Sequence, residues 1–197
     1  MRTPIIDELR RLFSSHGNQH YGESVSQLDH ALQCAALVAR DGGGDALVAA
    51  ALLHDIGHLL VLDRNPDAPT TPEPDVDLRH EELGAAWLAD HFGAAVTEPI
   101  RLHVAAKRWL HTRDPSFSES LSEASRLSLQ VQGGRLSEQK RLEFEANPFA
   151  TDAVTLRRAG DAGKVEGLDC GALEDWLGVE ERVVERVVKE PGSGLSG

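Results

Sequence analysis

Apolar residues recur every three to four positions along most of the chain, the spacing that gives an α-helix one face able to pack. The pattern predicts helices over roughly 28–40, 45–62, 79–92, 96–111, 118–131, 137–146 and 172–188. Near the N-terminus, Ile5, Ile6, Leu9, Leu12 and Phe13 also fall on one helical face, unlike the unbroken apolar core of a signal peptide. Strand-like alternation is hard to find, so the predicted fold is all-α. Breakers fall between the helices at Gly42-Gly43-Gly44, the Pro-rich stretch 66–74, Asp114-Pro115, Gly133-Gly134 and Asn147-Pro148. Asp45 and Ser137 stand where N-caps are expected.

A length of 197 residues with no sustained linker suits one hydrophobic core, and the sequence predicts a single domain over residues 1–190. Residues 191–197 read as a disordered tail. The segment from Asp63 to Asp77, with four prolines and five acidic residues, is too polar for a core and reads as a mobile surface loop leading into His80. A net charge of −12 with scattered Lys and Arg excludes nucleic acid and anionic membrane surfaces as bulk partners. It does not exclude a small anionic substrate, because local cations or metal ions set the field inside a pocket. Cys34 and Cys170 are too few for a disulfide framework and read as reduced, structural thiols. No segment reads as the ~20 apolar residues a membrane span needs, and the expected location is the cytoplasm.

Within this apolar helical background, His54 and Asp55 interrupt the run ALVAAALLHDIGHLLVL. Burying an imidazole beside a carboxylate is costly unless something compensates both, and a divalent metal does so. His30, His80 and His103 lie on other apolar helical stretches, and Asp161 lies in a more weakly patterned one. A lone His of this kind is more often an ordinary core residue. Four of them with an adjacent Asp and a late Asp favour a shared metal centre.

The HD pair with its flanking histidines resembles the HD-domain superfamily, whose fold is a helical bundle and most of whose members are phosphohydrolases. A narrower resemblance rests on Tyr21-Gly-Glu23, on Gln27-Leu-Asp-His30-Ala-Leu-Gln, and on His103-Val-Ala-Ala-Lys107-Arg. It continues through Ser125-Arg-Leu-Ser128, Gln132-Gly-Gly and Arg158-Ala-Gly-Asp161. These stretches, from about residue 18 to 165, are similar to the phosphonate-cleaving, mixed-valent diiron oxygenases of that superfamily. The resemblance implies that His30, His54, Asp55 and Asp161 hold one iron, and that Asp55 bridges to a second held by His80 and His103. It further implies an Fe(II)/Fe(III) pair that uses O₂ to oxidise C1 of a 1-hydroxyphosphonate, releasing inorganic phosphate and a carboxylic acid. No organic cofactor is expected. Substrates of the 2-amino- or 2-trimethylammonio-1-hydroxyethylphosphonate type are the first expectation.

The same resemblance places Lys107, Ser125, Ser128 and Arg158 against the phosphonate, with Arg157 given no role in the site. Lys107 follows His103 by one helical turn, and an anionic ligand resolves the conflict of a cation beside a metal ligand. His58, one turn after His54, is expected to contact substrate or support a ligand rather than bind metal. Tyr21 and Glu23 match a flap over the irons, spaced one residue closer than in the related enzymes, and Glu23 suits a cationic group on the substrate. Trp87, Trp109 and Trp176 fit core positions better than an aromatic cage. The alternative is an HD-type phosphohydrolase acting on a nucleotide or phosphomonoester, and a regulatory module without turnover is a third reading.

Overall fold

The computed structural model describes residues 3–20, 22–67 and 77–188, apart from a few side chains within helices. Ten α-helices and one 3₁₀ turn make up its regular structure, with no strand among the described residues. In chain order they are α1 (Pro4–His16), α2 (Gln27–Arg40), α3 (Asp45–Leu53), α4 (Ile56–Arg64), α5 (His80–Leu88) and α6 (Ala94–Arg113). After the 3₁₀ turn Pro115–Glu119 come α7 (Glu123–Val131), α8 (Glu138–Glu145), α9 (Ala150–Ala162) and α10 (Leu173–Val188). The twenty-residue α6 is central, packed against α3, α5 and α9, while α2 lies on α3 and α9 and α10 covers α3.

Local sequence accounts for the helix starts. Pro4 opens α1, where its missing N–H costs nothing, and Ile5, Ile6, Leu9, Leu12 and Phe13 are all buried. Ser26, Ser122 and Ser137 cap α2, α7 and α8 by accepting hydrogen bonds from the N–H groups of Asp29, Ser125 and Lys140. Asp45 is the first residue inside α3 rather than its cap, which is Gly44, and its carboxylate instead accepts from Arg182.

Three expectations need correction. The continuous helix over 45–62 is two helices, α3 and α4, broken at His54-Asp55, where Asp55 adopts φ −101° and ψ 10°. Apolar helical spacing on both sides of the polar pair conceals it. Taken as one stretch, Asp45–Arg64 is long and apolar enough to cross a membrane, contrary to expectation, yet most of it is core. Asp63 belongs to α4, where it pairs with Arg11 at 2.7 Å and His16 at 3.1 Å, so the acidic loop begins later. The rest of that loop over 68–76, and the tail, lie outside the described residues.

One close approach fixes the site's frame. A Cβ on Gly57 would stand 2.0 Å from the carbonyl oxygen of His80, so only glycine lets the start of α5 lie against α4. Gly84 on α5 faces the same contact, near Ile56 and Gly57.

Away from the site, Glu180 of α10 is fully buried, and its carboxylate oxygens have no hydrogen-bond partner among the described residues. Burial pushes its pKa from 4.5 up to about 8. The folded chain then holds a proton that the unfolded chain releases, so the stability tied to Glu180 is complete below about pH 4.5 and is lost as pH rises toward about 8. Glu180→Gln is expected to flatten that part of the stability curve, measured by urea unfolding across this range.

Candidate metal centre

Four helical elements and the α3–α4 break bring His30, His54, His80 and His103 around Asp55. All four histidines are buried. His30 Nδ1 lies 2.7 Å from the Gly163 carbonyl, His54 Nδ1 2.8 Å from that of Ala51, and His103 Nδ1 2.8 Å from that of Ile100. A carbonyl only accepts, so each Nδ1 carries the proton and each Nε2 turns a lone pair inward. His80 Nδ1 lies 3.5 Å from the Glu81 carboxylate.

The inward nitrogens come in two pairs. His30 Nε2 and His54 Nε2 are 3.2 Å apart, and His80 Nε2 and His103 Nε2 are 3.1 Å apart. The unprotonated nitrogens of His30 and His54 repel at that distance, whereas the spacing in both pairs is natural for neighbouring ligands each roughly 2.1 Å from one ion. Asp55 divides itself between the pairs. Its Oδ2 lies 3.6 Å from His30 and 3.4 Å from His54, while Oδ1 lies 3.3 Å from His80 and 3.7 Å from His103. The bend at 54–55 is what lets two adjacent residues face one centre, since consecutive side chains of a regular helix diverge by ~100°.

Electrostatics favour metal ligation as well. Burial lowers the His30 pKa to about 4, helped by the neighbouring His54, and burial also lowers those of His54, His58 and His103. These shifts favour the neutral form that a metal ligand needs. Burial raises the pKa of Asp55, but His54, His80 and His58 outweigh it and hold the carboxyl ionised. The donor set therefore fits divalent metal ions, with one carboxylate placed to bridge two positions.

His58 stacks on His80 with ring centroids 4.0 Å apart. Its nitrogen also lies close enough to Asp55 and His80 for the three to share an ion, which is nearer than the supporting position expected of it. Asp161 stands differently. Among the described residues its ion pair is with Arg157, whose guanidinium makes a two-point contact with the carboxylate. The neighbouring Gly160 lies against His54 Nε2, so α9 does bring this segment to the centre.

A cavity of about 100 Å³ opens beside the cluster, room for several waters or a small molecule. Lys107, Ser125 and Ser128 line it, and Lys107 Nζ donates to Ser128 Oγ at 2.9 Å. Burial and the nearby Arg157 lower the Lys107 pKa to about 7. The arginine expectation is reversed: Arg158 is exposed, while Arg157 is buried and lines the cavity. The register of α9 decides this, because Arg157 shares the face of Ala153 and Gly160. Sequence reasoning also missed Lys164, which lies past the end of α9 where no periodicity points to it. Its Nζ lies 2.6 Å from the carboxylate of Glu23 and 2.8 Å from Ser125 Oγ. Tyr21 lies outside the described residues. The tryptophans pack away from the cavity, Trp87 and Trp176 on the main core and Trp109 on Phe144. Both cysteines are free, and buried Cys34 sits 3.8 Å from the His30 ring nitrogens.

An all-helical bundle with buried histidines gathered round an aspartate, beside a cavity lined by cations and hydroxyls, is the arrangement of a metal-dependent enzyme acting on a small anion. The HD domain family matches residues 28–132. The chain is 43% identical to the hydroxymethylphosphonate dioxygenase of Gimesia maris, over 87% of this chain and 84% of that protein. It is 32% identical to the [1-hydroxy-2-(trimethylamino)ethyl]phosphonate dioxygenase (glycine-betaine-forming) of Leisingera caerulea, over 94% of this chain and 93% of that protein. The chain belongs to the HD-domain family, within its group of phosphonate-cleaving oxygenases.

The two arginines give a direct check. Arg157→Gln is expected to destabilise the chain by roughly 1–3 kcal/mol, because it strips a largely buried carboxylate of its partner. Arg158→Gln should stay within about 0.5 kcal/mol, as exposed substitutions do. Urea unfolding of the two variants measures the difference.

Proposed function

We propose that this chain is a cytoplasmic, O₂-dependent diiron oxygenase that oxidises a 1-hydroxyphosphonate at C1 and cleaves its C–P bond. The observation that carries the reading is the division of Asp55 between two imidazole pairs, which supports two bridged metal positions rather than one. When bound, two irons in the Fe(II)/Fe(III) state would supply the one-electron and O₂ chemistry. The reaction balances as hydroxyphosphonate plus O₂ giving a carboxylate, hydrogen phosphate and a proton: C1 is oxidised, O₂ is reduced, and the C–P bond breaks.

The protein's own groups bind and orient. Lys107, Arg157, Lys164 and the Ser125 and Ser128 hydroxyls lie along the cavity wall, where they can neutralise a phosphonate and donate to its oxygens. That arrangement would hold C1 toward the histidine cluster and exclude bulk water from it. His58, stacked on His80, fixes that ligand's ring plane and borders the substrate space. In this reading Asp161 completes the His30–His54 position, giving up part of its contact with Arg157 to the metal. Glu23, in the stretch whose resemblance implies a flap, lines the cavity.

Purified protein loaded with iron is expected to consume O₂ and release inorganic phosphate from hydroxymethylphosphonate or a 2-substituted analogue. Phosphate release under strict anaerobiosis would instead establish a hydrolase. Metal analysis tests the ligand set separately: two irons per chain are expected, and His103→Ala should lower this toward one, with Mössbauer spectroscopy reporting the remaining site.

A further inference from the structure

We propose that Lys164 makes the site selective for 1-hydroxyphosphonates whose organic end carries no positive charge; this rests on the oxygenase reading above. A substrate amine or quaternary ammonium needs an available carboxylate or an aromatic face. Glu23 is a carboxylate that lines the cavity, and its charge is already paired. Its Oε1 accepts from Lys164 Nζ at 2.6 Å and from Ser122 Oγ at 2.7 Å, with Ser125 Oγ 3.5 Å away. Lys164 Nζ is itself fixed by Ser125 Oγ at 2.8 Å and Ser122 Oγ at 3.3 Å. Both side chains are largely shielded, at 15% exposure for Lys164 and 18% for Glu23, so water screens the pair poorly.

The remaining carboxylates do not serve. Asp55 belongs to the metal cluster, and Asp77 lies exposed at the rim, where it accepts from the backbone N–H of Arg79. Among the described residues no Trp, Tyr or Phe lines the cavity. A cationic substrate would have to displace Lys164 from Glu23 or share one carboxylate with it. A substrate ending in hydrogen or a neutral group meets no such obstacle, and its phosphonate gains the lysine as an added cation.

The test measures O₂ uptake by the iron-loaded full chain with hydroxymethylphosphonate, 2-amino-1-hydroxyethylphosphonate and the trimethylammonium analogue. Hydroxymethylphosphonate should be preferred at least tenfold in kcat/KM. Lys164→Met, which frees Glu23, should raise the ratio of amine to neutral substrate at least tenfold, whereas Lys164→Arg should leave it unchanged. Preference of the wild type for either cationic substrate overturns the assignment. So does an unchanged ratio in a Lys164→Met protein that melts like the wild type, and if that variant does not fold, the wild-type preference decides. Cationic turnover would leave the oxygenase reading standing, whereas failure of all three substrates to consume O₂ would remove that reading and this inference with it.

Discussion

The crowding of inward-facing lone pairs on His30, His54 and His103, relieved by positive charge at their centre, is the constraint around which this fold is arranged. Backbone carbonyls hold the outer nitrogens of His30, His54 and His103, so these rings cannot turn their protons inward to escape. Asp55 supplies one balancing charge but is shared by both pairs. Bound metal ions remove the remaining conflict, so ligand binding and the integrity of the bundle interior are one problem.

The same logic extends to the cavity. Lys107, Arg157 and Lys164 gather cations beside a centre that is itself designed for cations, and Lys107 pays for it in a pKa lowered to about 7. A dianion between the two groups is the arrangement that satisfies both, because it is attracted to the metals on one side and to the ammonium and guanidinium groups on the other. The anion class of the substrate is thus a consequence of charge placement, whereas its organic end is governed by the weaker contacts around Glu23.

Much of this was legible in the sequence where a polar residue broke an apolar helical run. His30, His54, Asp55, His80 and His103 stood out for that reason, and they converge. What stayed hidden follows from physical causes. Helix α9 buries Ala153, Ala159 and Gly160, small residues that carry little hydrophobic signal, with Leu156 as its one large buried apolar side chain, so neither the helix nor the choice of Arg157 over Arg158 was evident. The bend at His54-Asp55 lies between two apolar helical runs, and a polar pair there reads equally well as an interruption within one straight helix. Lys164 sits in irregular chain, where only tertiary structure reveals its partner.

The contact between Gly57 and the His80 carbonyl gives the centre a further property. One imidazole pair comes from α2 and the end of α3, the other from α5 and α6, and these halves are joined here by main chain touching main chain rather than by adjustable side chains. Backbone atoms in van der Waals contact yield far less than rotamers do. The span between the two ligand pairs is therefore a fixed dimension of the scaffold, and the distance separating any ions they hold is inherited from helix packing instead of being negotiated by the ions themselves.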